Sequence, residues 1–235
     1  MDSKRLPDMI AIAALIGDAS RMAMLMSLIG GKSLPAGELA QAARVSKATA
    51  SSHLAKLVEG GLLRQEAAGR HRYYRLAGPE VGQALEAMLV IAPAKAVKSL
   101  RESDEQRHMR HARTCYDHLA GKVGVALTDR LLALGFLSDC GPDYALAEAG
   151  REKLLELGVA VDAPSGQRRH YARKCLDWSE RRHHLAGSLG AAIASRLLEL
   201  EWLERIPGGR AVRVTEAGRR GLAESLGLEE LAQQP

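Results

Sequence analysis

Two short stretches of the 235-residue sequence carry a cysteine, an aspartate and a histidine in the same order. The first is Arg113-Thr114-Cys115-Tyr116-Asp117-His118. The second is Arg173-Lys174-Cys175-Leu176-Asp177, with His184 following an insertion, Trp178–His183. Thiols and imidazoles bind soft and borderline metals, and thiolates react with oxidants and electrophiles. Three readings of Cys115, Asp117, His118, Cys175, Asp177 and His184 stand open. In the first, Cys115 and Cys175 approach each other as a redox or electrophile sensor, with Arg113 and Arg173 favouring thiolate. In the second, Cys115, His118, Cys175 and His184 are zinc-type ligands. Against that, structural zinc usually shows two tight pairs, and Cys175 and His184 stand nine positions apart. In the third, the cysteines are small buried hydrophobes and the histidines cap helices. Asp177, Glu180, His183 and His184 beside Trp178 read equally as a catalytic cluster or as an insertion lining an effector pocket. Cys140, beside Gly141-Pro142, has no counterpart.

The elements that must position these residues recur as well. His118–Leu137 and His184–Leu203 are identical at eleven of twenty positions without a gap. Each is followed by a turn, a β-prone run and a Glu-Ala-Gly helix start, at Tyr144–Gly150 and Val212–Gly218. Two such halves can bury their Leu/Ala faces against each other about a pseudo-two-fold axis. Gly121, Gly124, Gly187 and Gly190 would then permit close approach of helices.

A different chemistry is written into Val45–Arg75. Ser46 can cap a helix and Gly60-Gly61 can end it. Ala50, Leu54, Leu57 and Val58 share one face at 3.6-residue spacing, and Thr49, Ser52, His53 and Lys56 share the opposite, polar one. Two β-prone runs follow, Leu62–Glu66 and His71–Leu76, joined by Ala67-Ala68-Gly69-Arg70. Across Arg44–Arg75 seven Lys and Arg residues face two Glu residues. A polar-faced helix followed by a basic hairpin is the pattern of a winged helix–turn–helix. Its helix reads the major groove and its hairpin lies on phosphates. Lys56, Arg70 and Arg72 are the expected phosphate contacts.

Composition narrows the alternatives. The chain is 46% hydrophobic and 26% charged, with net charge +5. That balance is globular and permits a polyanionic partner. Aromatics are 3%, with a single Phe, so a stacking platform for single strands is not expected. No apolar run reaches the roughly 18 residues of a membrane span, and no signal peptide is visible. Three cysteines without an export signal suggest reduced thiols in the cytoplasm. A Gly-rich phosphate loop, a nucleophile elbow and a His-Glu-x-x-His motif are all missing, so an enzyme is not expected.

In chain order, Met1–Pro7 reads as a loose start. Met9–Gly17 is apolar nearly all round, which suits a core or a dimer interface. Asp18-Ala19-Ser20 can cap a helix over Arg21–Ile29, and Gly37–Ala43 is a shorter helix. Glu80–Ala92 carries Val81, Leu85, Met88 and Ala92 on one face, read as a two-fold partner surface. Ile91–Arg113 is a helix or a hinge, and Asp162–Gly166 is a loop. The expected architecture is mainly α with small β-hairpins, an α+β chain. It comprises a winged helix–turn–helix DNA-binding and dimerisation domain over 1–92, a linker or connecting helix over 93–111, and a carboxy-terminal domain over 112–235. The last has two repeated helix–hairpin–helix halves, 112–160 and 172–228.

Ser20–Ala92 resembles the ArsR family of bacterial winged-helix repressors. The matching features are DASRMAMLMSLIGG, then ELAQAARVSKATASSHLAKLVEGGLL, then GRHRYYRLA. The run Ser51 to Leu63 carries the pattern S-x-H-L-x-x-L-x-x-x-G-L-L. The resemblance covers somewhat under half the chain. It implies a dimeric regulator that binds double-stranded operator DNA and releases it when an effector arrives. It also implies that Ser51, Ser52 and His53 meet base edges. Together with Ser46 and Lys47 at the helix start, the candidate DNA set is Ser46, Lys47, Thr49, Ser51, Ser52, His53, Lys56, Arg70 and Arg72. Two departures matter. The Cys-x-Cys-Asp-Leu metal element of some members falls on Pro35-Ala36-Gly37-Glu38-Leu39, and Glu80–Ala92 has neither Asp nor His for another. Metal is therefore not expected at the family's usual positions. No cofactor is assigned, and a metal or a thiol-reactive effector stays open for the carboxy-terminal half. The alternative function is a ligand-binding or protein-interaction module merely anchored to DNA.

Overall fold

The computed structural model describes residues 7–69, 71–94, 96, 99–162 and 170–229. The chain divides into two compact units, Met1–Leu85 and Glu86–Pro235. Arg70 and most of the Asp162–Gly166 loop lie outside the described residues.

In the first unit, helix α1 (Met9–Ile16) starts at Asp8, whose carboxylate accepts from the Ala11 amide. It buries none of its residues, and Met9 and Ile10 are 71% and 82% exposed. Of the two sequence expectations for this apolar helix, a core position therefore fails within the single chain. Helix α2 (Ala19–Leu28) begins two residues earlier than expected because Asp18 caps it, accepting from the Arg21 amide. Met24, Leu25 and Leu28 form its core face. After the short strand β1 (Leu34–Pro35) comes helix α3 (Ala36–Ala43). Arg44 ends α3 in the left-handed region, its amide donating to Ala40 and Gln41 carbonyls. Helix α4 (Lys47–Glu59) follows, with Ser46 Oγ accepting from the Thr49 amide at 3.1 Å. Ala50, Leu54 and Leu57 are fully buried and Val58 is half-buried.

Strands β2 (Leu63–Ala68) and β3 (His71–Leu76) pair from Leu63↔Leu76 to Ala68↔His71. The first strand thus runs two residues farther than the sequence suggested, to Ala68. Gly69 sits at φ 60°, where a side chain would be strained. β1 pairs with β3 through Leu34↔Tyr74, giving the strand order β1-β3-β2.

Helix α5 (Pro79–Ile91) runs through the division between the units. It buries Leu85 and Glu86, while Val81 and Met88 are half-buried and Ala92 is exposed. The stripe read as a partner surface is therefore partly used within the chain. Glu86 accepts from Arg210, a buried ion pair. Helix α6 (Leu100–His111), capped by Ser99, occupies the stretch read as a helix or hinge, and it buries no residue.

The rest of the second unit has one element order run twice. First come β4 (Arg113–Cys115), β5 (His118–Ala120), α7 (Gly121–Ala133), β6 (Leu137–Cys140), β7 (Asp143–Leu146) and α8 (Glu148–Glu156). Then come β8 (Lys174–Leu176), β9 (His183–Leu185), α9 (Gly187–Glu199), β10 (Leu203–Arg205), β11 (Val212–Val214) and α10 (Glu216–Leu226). The opening hairpins β4–β5 and β8–β9 were not read from the sequence. Each is only three residues per strand, too short for an alternating pattern to register.

The halves exchange backbone bonds reciprocally. Val212 donates to Ala112 and Tyr144 to Ala172; Thr114 donates to Arg210 and Lys174 to Pro142. Helix α7 packs on β9, and α9 packs on β5. Leu127, Leu131, Leu189, Ile193 and Leu197 bring the two helices into one core, with Leu154 and Leu222 closing it from α8 and α10. Gly121 does allow close helix approach, since its Cβ would lie 2.7 Å from the Arg110 carbonyl oxygen at the end of α6, whereas Gly124 and Gly190 serve another purpose. A Cβ on Gly124 would lie 2.5 Å from the Leu119 carbonyl oxygen, and one on Gly190 would lie 2.5 Å from that of Leu185. Each lets the helix start fold tightly against the strand that precedes it. No single helix among the described residues is long and apolar enough to cross a membrane.

Candidate nucleic-acid interface and buried cysteine–histidine cluster

Burying Ala50, Leu54 and Leu57 against α2 and α3 turns the opposite side of α4 outward. Ser46, Lys47, Thr49, Ser51, Ser52 and Lys56 are all exposed there. Three of the hydroxyls have local partners: Thr49 and Ser46 share a 2.8 Å hydrogen bond, and Ser51 donates to the Lys47 carbonyl. His53 departs from the expectation. Its side chain is only 16% exposed, with Nδ1 3.4 Å from Arg21 Nη1 and 4.0 Å from Asp18. Arg21 in turn donates to the Leu15 and Ala14 carbonyls at the end of α1. The wheel placed His53 on the polar face, but α2 crosses close enough to engage the ring. On the hairpin, Arg64 and Arg72 are exposed, and Arg75 is engaged by Glu66 across the strands.

In the second unit, Cys115 stands directly opposite His118 in the β4–β5 register. Cys175 stands opposite His184 in the β8–β9 register. The insertion after Asp177 lengthens the loop without shifting that pairing. The halves then bring both pairs to one place. Cys115 and Cys175 sulfurs are 3.8 Å apart, and the Nε2 atoms of His118 and His184 are 3.1 Å apart. The four ligating atoms all lie within 4.8 Å of one another. Cys115, His118 and His184 are buried, and Cys175 is half-buried. Cys140 is exposed and stands apart from the cluster.

Asp177 is fully buried and does not face a solvent pocket. Its Oδ2 accepts from Arg113 Nη2 at 2.9 Å and from the Gly121 amide at 2.7 Å. Its Oδ1 accepts from the Ser179 amide and hydroxyl and from the Glu180 amide. Arg113, also fully buried, lies 4.2 Å over the Trp178 ring and donates to the Met109 carbonyl. Asp177 therefore ties the inserted loop of the second half to the first strand of the first. Asp117 stays near the cluster, with Oδ1 3.4 Å from His118 Nδ1.

The electrostatics follow from these contacts. Burial opposes the Asp177 charge, but Arg113, the Gly121 amide and Ser179 together hold its carboxyl well below the usual carboxylate range. The sulfur–sulfur contact and burial raise the Cys115 thiol. The same contact, reinforced by His118 and His184, lowers Cys175 despite burial. The sequence credited Arg113 and Arg173 with activating the thiols. Arg113 pairs with Asp177 and lies over Trp178; its charge still favours the Cys115 thiolate but is outweighed there, and at Cys175 the imidazoles add to the effect of the sulfur contact. Burial would depress His118, but Asp117 and Cys175 outweigh it, whereas burial prevails at His184.

A family profile described as a helix-turn-helix domain matches residues 16–66. A Bacillus subtilis (strain 168) protein described as the uncharacterized HTH-type transcriptional regulator YdfF is 44% identical over 223 residues. The alignment covers 95% of this chain and 99% of that protein. The chain belongs to the HTH-type transcriptional regulators. Its ArsR-like sequence features lie on the winged helix–turn–helix of the first unit. Among solved structures, the homodimeric winged-helix DNA-binding domain of Mb0332 from Mycobacterium bovis is 24% identical. It covers 35% of this chain and 75% of that one, with a TM-score of 0.32. The cadmium sensor CMTR from Mycobacterium tuberculosis is 23% identical, covering 39% of this chain and 95% of that one, with a TM-score of 0.32.

Proposed function

We propose that this HTH regulator is a dimeric repressor that reads operator DNA with α4 and the β2–β3 hairpin. The observation that carries the reading is the outward face of α4, where Lys47, Ser51, Ser52 and Lys56 are exposed, together with exposed Arg64 and Arg72 on the hairpin that follows. Short hydroxyl side chains fit the floor of a major groove, and lysine and arginine neutralise phosphates. Ser51 and Ser52 then meet base edges, while Lys47, Lys56, Arg70 and Arg72 meet the backbone. Ser46 and Thr49 fix the helix start, and His53 acts by holding α4 to α2.

The exposed apolar side of α1 supports pairing with a second copy, since surface-exposed Met9 and Ile10 gain most from being covered. A two-fold dimer places two such helices in successive major grooves. In this reading the second unit sets DNA affinity in response to an effector.

The test is fluorescence anisotropy with duplex DNA from upstream of its own gene, compared with scrambled duplex. Specific binding is expected, with Ser52→Ala losing roughly 1–3 kcal/mol of discrimination between the two. Equal affinity for both duplexes at all salt concentrations would overturn the reading.

A second reading has one observation behind it. A cleft of about 680 Å³ opens in the second unit between the end of α5, α6 and Trp178, with Leu89, Met109 and Ser179 in its lining. A small-molecule module anchored to DNA would bind there, and ligand-dependent Trp178 fluorescence without any change in DNA affinity would favour it.

A further inference from the structure

We propose that Cys115, His118, Cys175 and His184 form a closed, four-coordinate site for a thiophilic divalent cation of the Zn²⁺ class, joining the two halves of the second unit. The site lies wholly within that unit, and the inference does not depend on the DNA-binding reading.

The first argument is metric. Around a tetrahedral Zn²⁺, bonds of about 2.3 Å to sulfur and about 2.0–2.1 Å to nitrogen put the two sulfurs roughly 3.8 Å apart and the two nitrogens roughly 3.3 Å apart. The corresponding separations are 3.8 Å and 3.1 Å. All four atoms lie within 4.8 Å of one another, so small side-chain rotations bring the sulfur–nitrogen edges into range.

The second argument is orientation. His118 turns Nδ1 toward Asp117, at 3.4 Å, and His184 turns Nδ1 toward Asp177, at 3.5 Å. With the protons drawn to both Nδ1 atoms by these carboxylates, two Nε2 lone pairs would aim at each other across 3.1 Å in a buried place. Opposed lone pairs need a cation between them. A proton serves the two nitrogens alone; a metal ion serves the nitrogens and both sulfurs. Buried His184 Nδ1 makes no conventional hydrogen bond. Metallation at Nε2 fixes its proton on Nδ1, facing the Asp177 carboxylate, as outer carboxylates do for metal-bound histidines.

The third argument is chemistry. Two thiolates balance a divalent charge, so the buried assembly is neutral. Sulfur and imidazole select Zn²⁺ over Mg²⁺ or Ca²⁺, which take oxygen ligands. Four protein ligands leave no open position, so the ion holds structure and does not activate water. The nine-position gap between Cys175 and His184 is no obstacle, because the β8–β9 register sets them side by side. The ion's own position across β4–β5 and β8–β9 makes it a link between segments about 60 residues apart in sequence.

The test uses the full chain purified with reductant. Elemental analysis and native mass spectrometry are expected to find one zinc per chain. Replacement with Co²⁺ is expected to give the intense visible bands of a tetrahedral site and a near-ultraviolet thiolate band. Cys140→Ser should leave both unchanged, while Cys175→Ser should lose the thiolate intensity. Stripping the metal with a chelator should lower the melting temperature followed by tryptophan fluorescence, and zinc should restore it. If Cys175→Ser fails to fold, the cobalt spectra of the parent chain and Cys140→Ser still decide. A weak, octahedral cobalt spectrum, sub-stoichiometric metal that dialysis removes, or a Cys115–Cys175 disulfide persisting under reductant would each overturn the site.

Discussion

Arg113 and Asp177 offer the sharpest test of how the second unit is held together. Both side chains are fully buried, and the pair spans the two halves. Replacing Arg113 by Met keeps much of its volume over Trp178 but leaves the Asp177 carboxylate without its cation. Breaking a buried pair from one side costs about 3–5 kcal/mol. Asp177→Ala should cost more. Besides stranding Arg113, it removes the acceptor of the buried Gly121 amide, worth a further ~1–3 kcal/mol. For a unit of this size each kcal/mol lowers the melting temperature by roughly 2–4 °C. Arg113→Met should therefore melt about 6–20 °C lower than the parent chain, and Asp177→Ala lower still. Both tryptophans, Trp178 and Trp202, lie in the second unit, so tryptophan fluorescence excited beyond the tyrosine band follows that unit. Melts with excess chelator remove any contribution from bound metal. A shift under about 2 °C for either variant, or Asp177→Ala melting above Arg113→Met, would refute the reasoning.

Arg72→Ala should weaken binding to specific and scrambled duplex alike and reduce the salt slope by about one unit, measured by anisotropy across a salt series. An unchanged slope would remove Arg72 from the phosphate contacts. Ile10→Glu, on the exposed side of α1, should shift sedimentation from dimer toward monomer while leaving the helical circular-dichroism signal intact. Gly150→Ala puts a Cβ 2.4 Å from the Phe136 carbonyl oxygen and should cost about 1–3 kcal/mol. Gly37→Ala, in α3, meets nothing within 4 Å and should be neutral or stabilise by up to ~1 kcal/mol; thermal melts of the pair check the contrast.

Helix α4 was legible because its determinants are local. Ser46 caps it, three apolar residues at helical spacing bury it, and the leftover face is polar whatever the helix packs on. The basic hairpin was legible for the same reason, although its first strand ran two residues farther toward the tip, to Ala68. The low exposure of His53 was not legible because a helical wheel shows which face a residue is on, not whether α2 crosses that face. The amino-terminal apolar helix was ambiguous between core and interface, and within one chain the core has no place for it.

Sequence alone established the repeat in the second unit, the chemical types gathered around each cysteine and the glycines at each helix start. It could not establish that Cys115 faces His118 and Cys175 faces His184 as equivalent cross-strand partners, because the second pair is separated by an inserted loop. Nor could it show that Asp177 turns away from solvent to meet Arg113, 64 positions earlier. Spacing along the chain reports neighbours only where the backbone is regular. Across a hairpin or between two halves, the hydrogen-bond register and the packing of helices on strands decide which side chains meet.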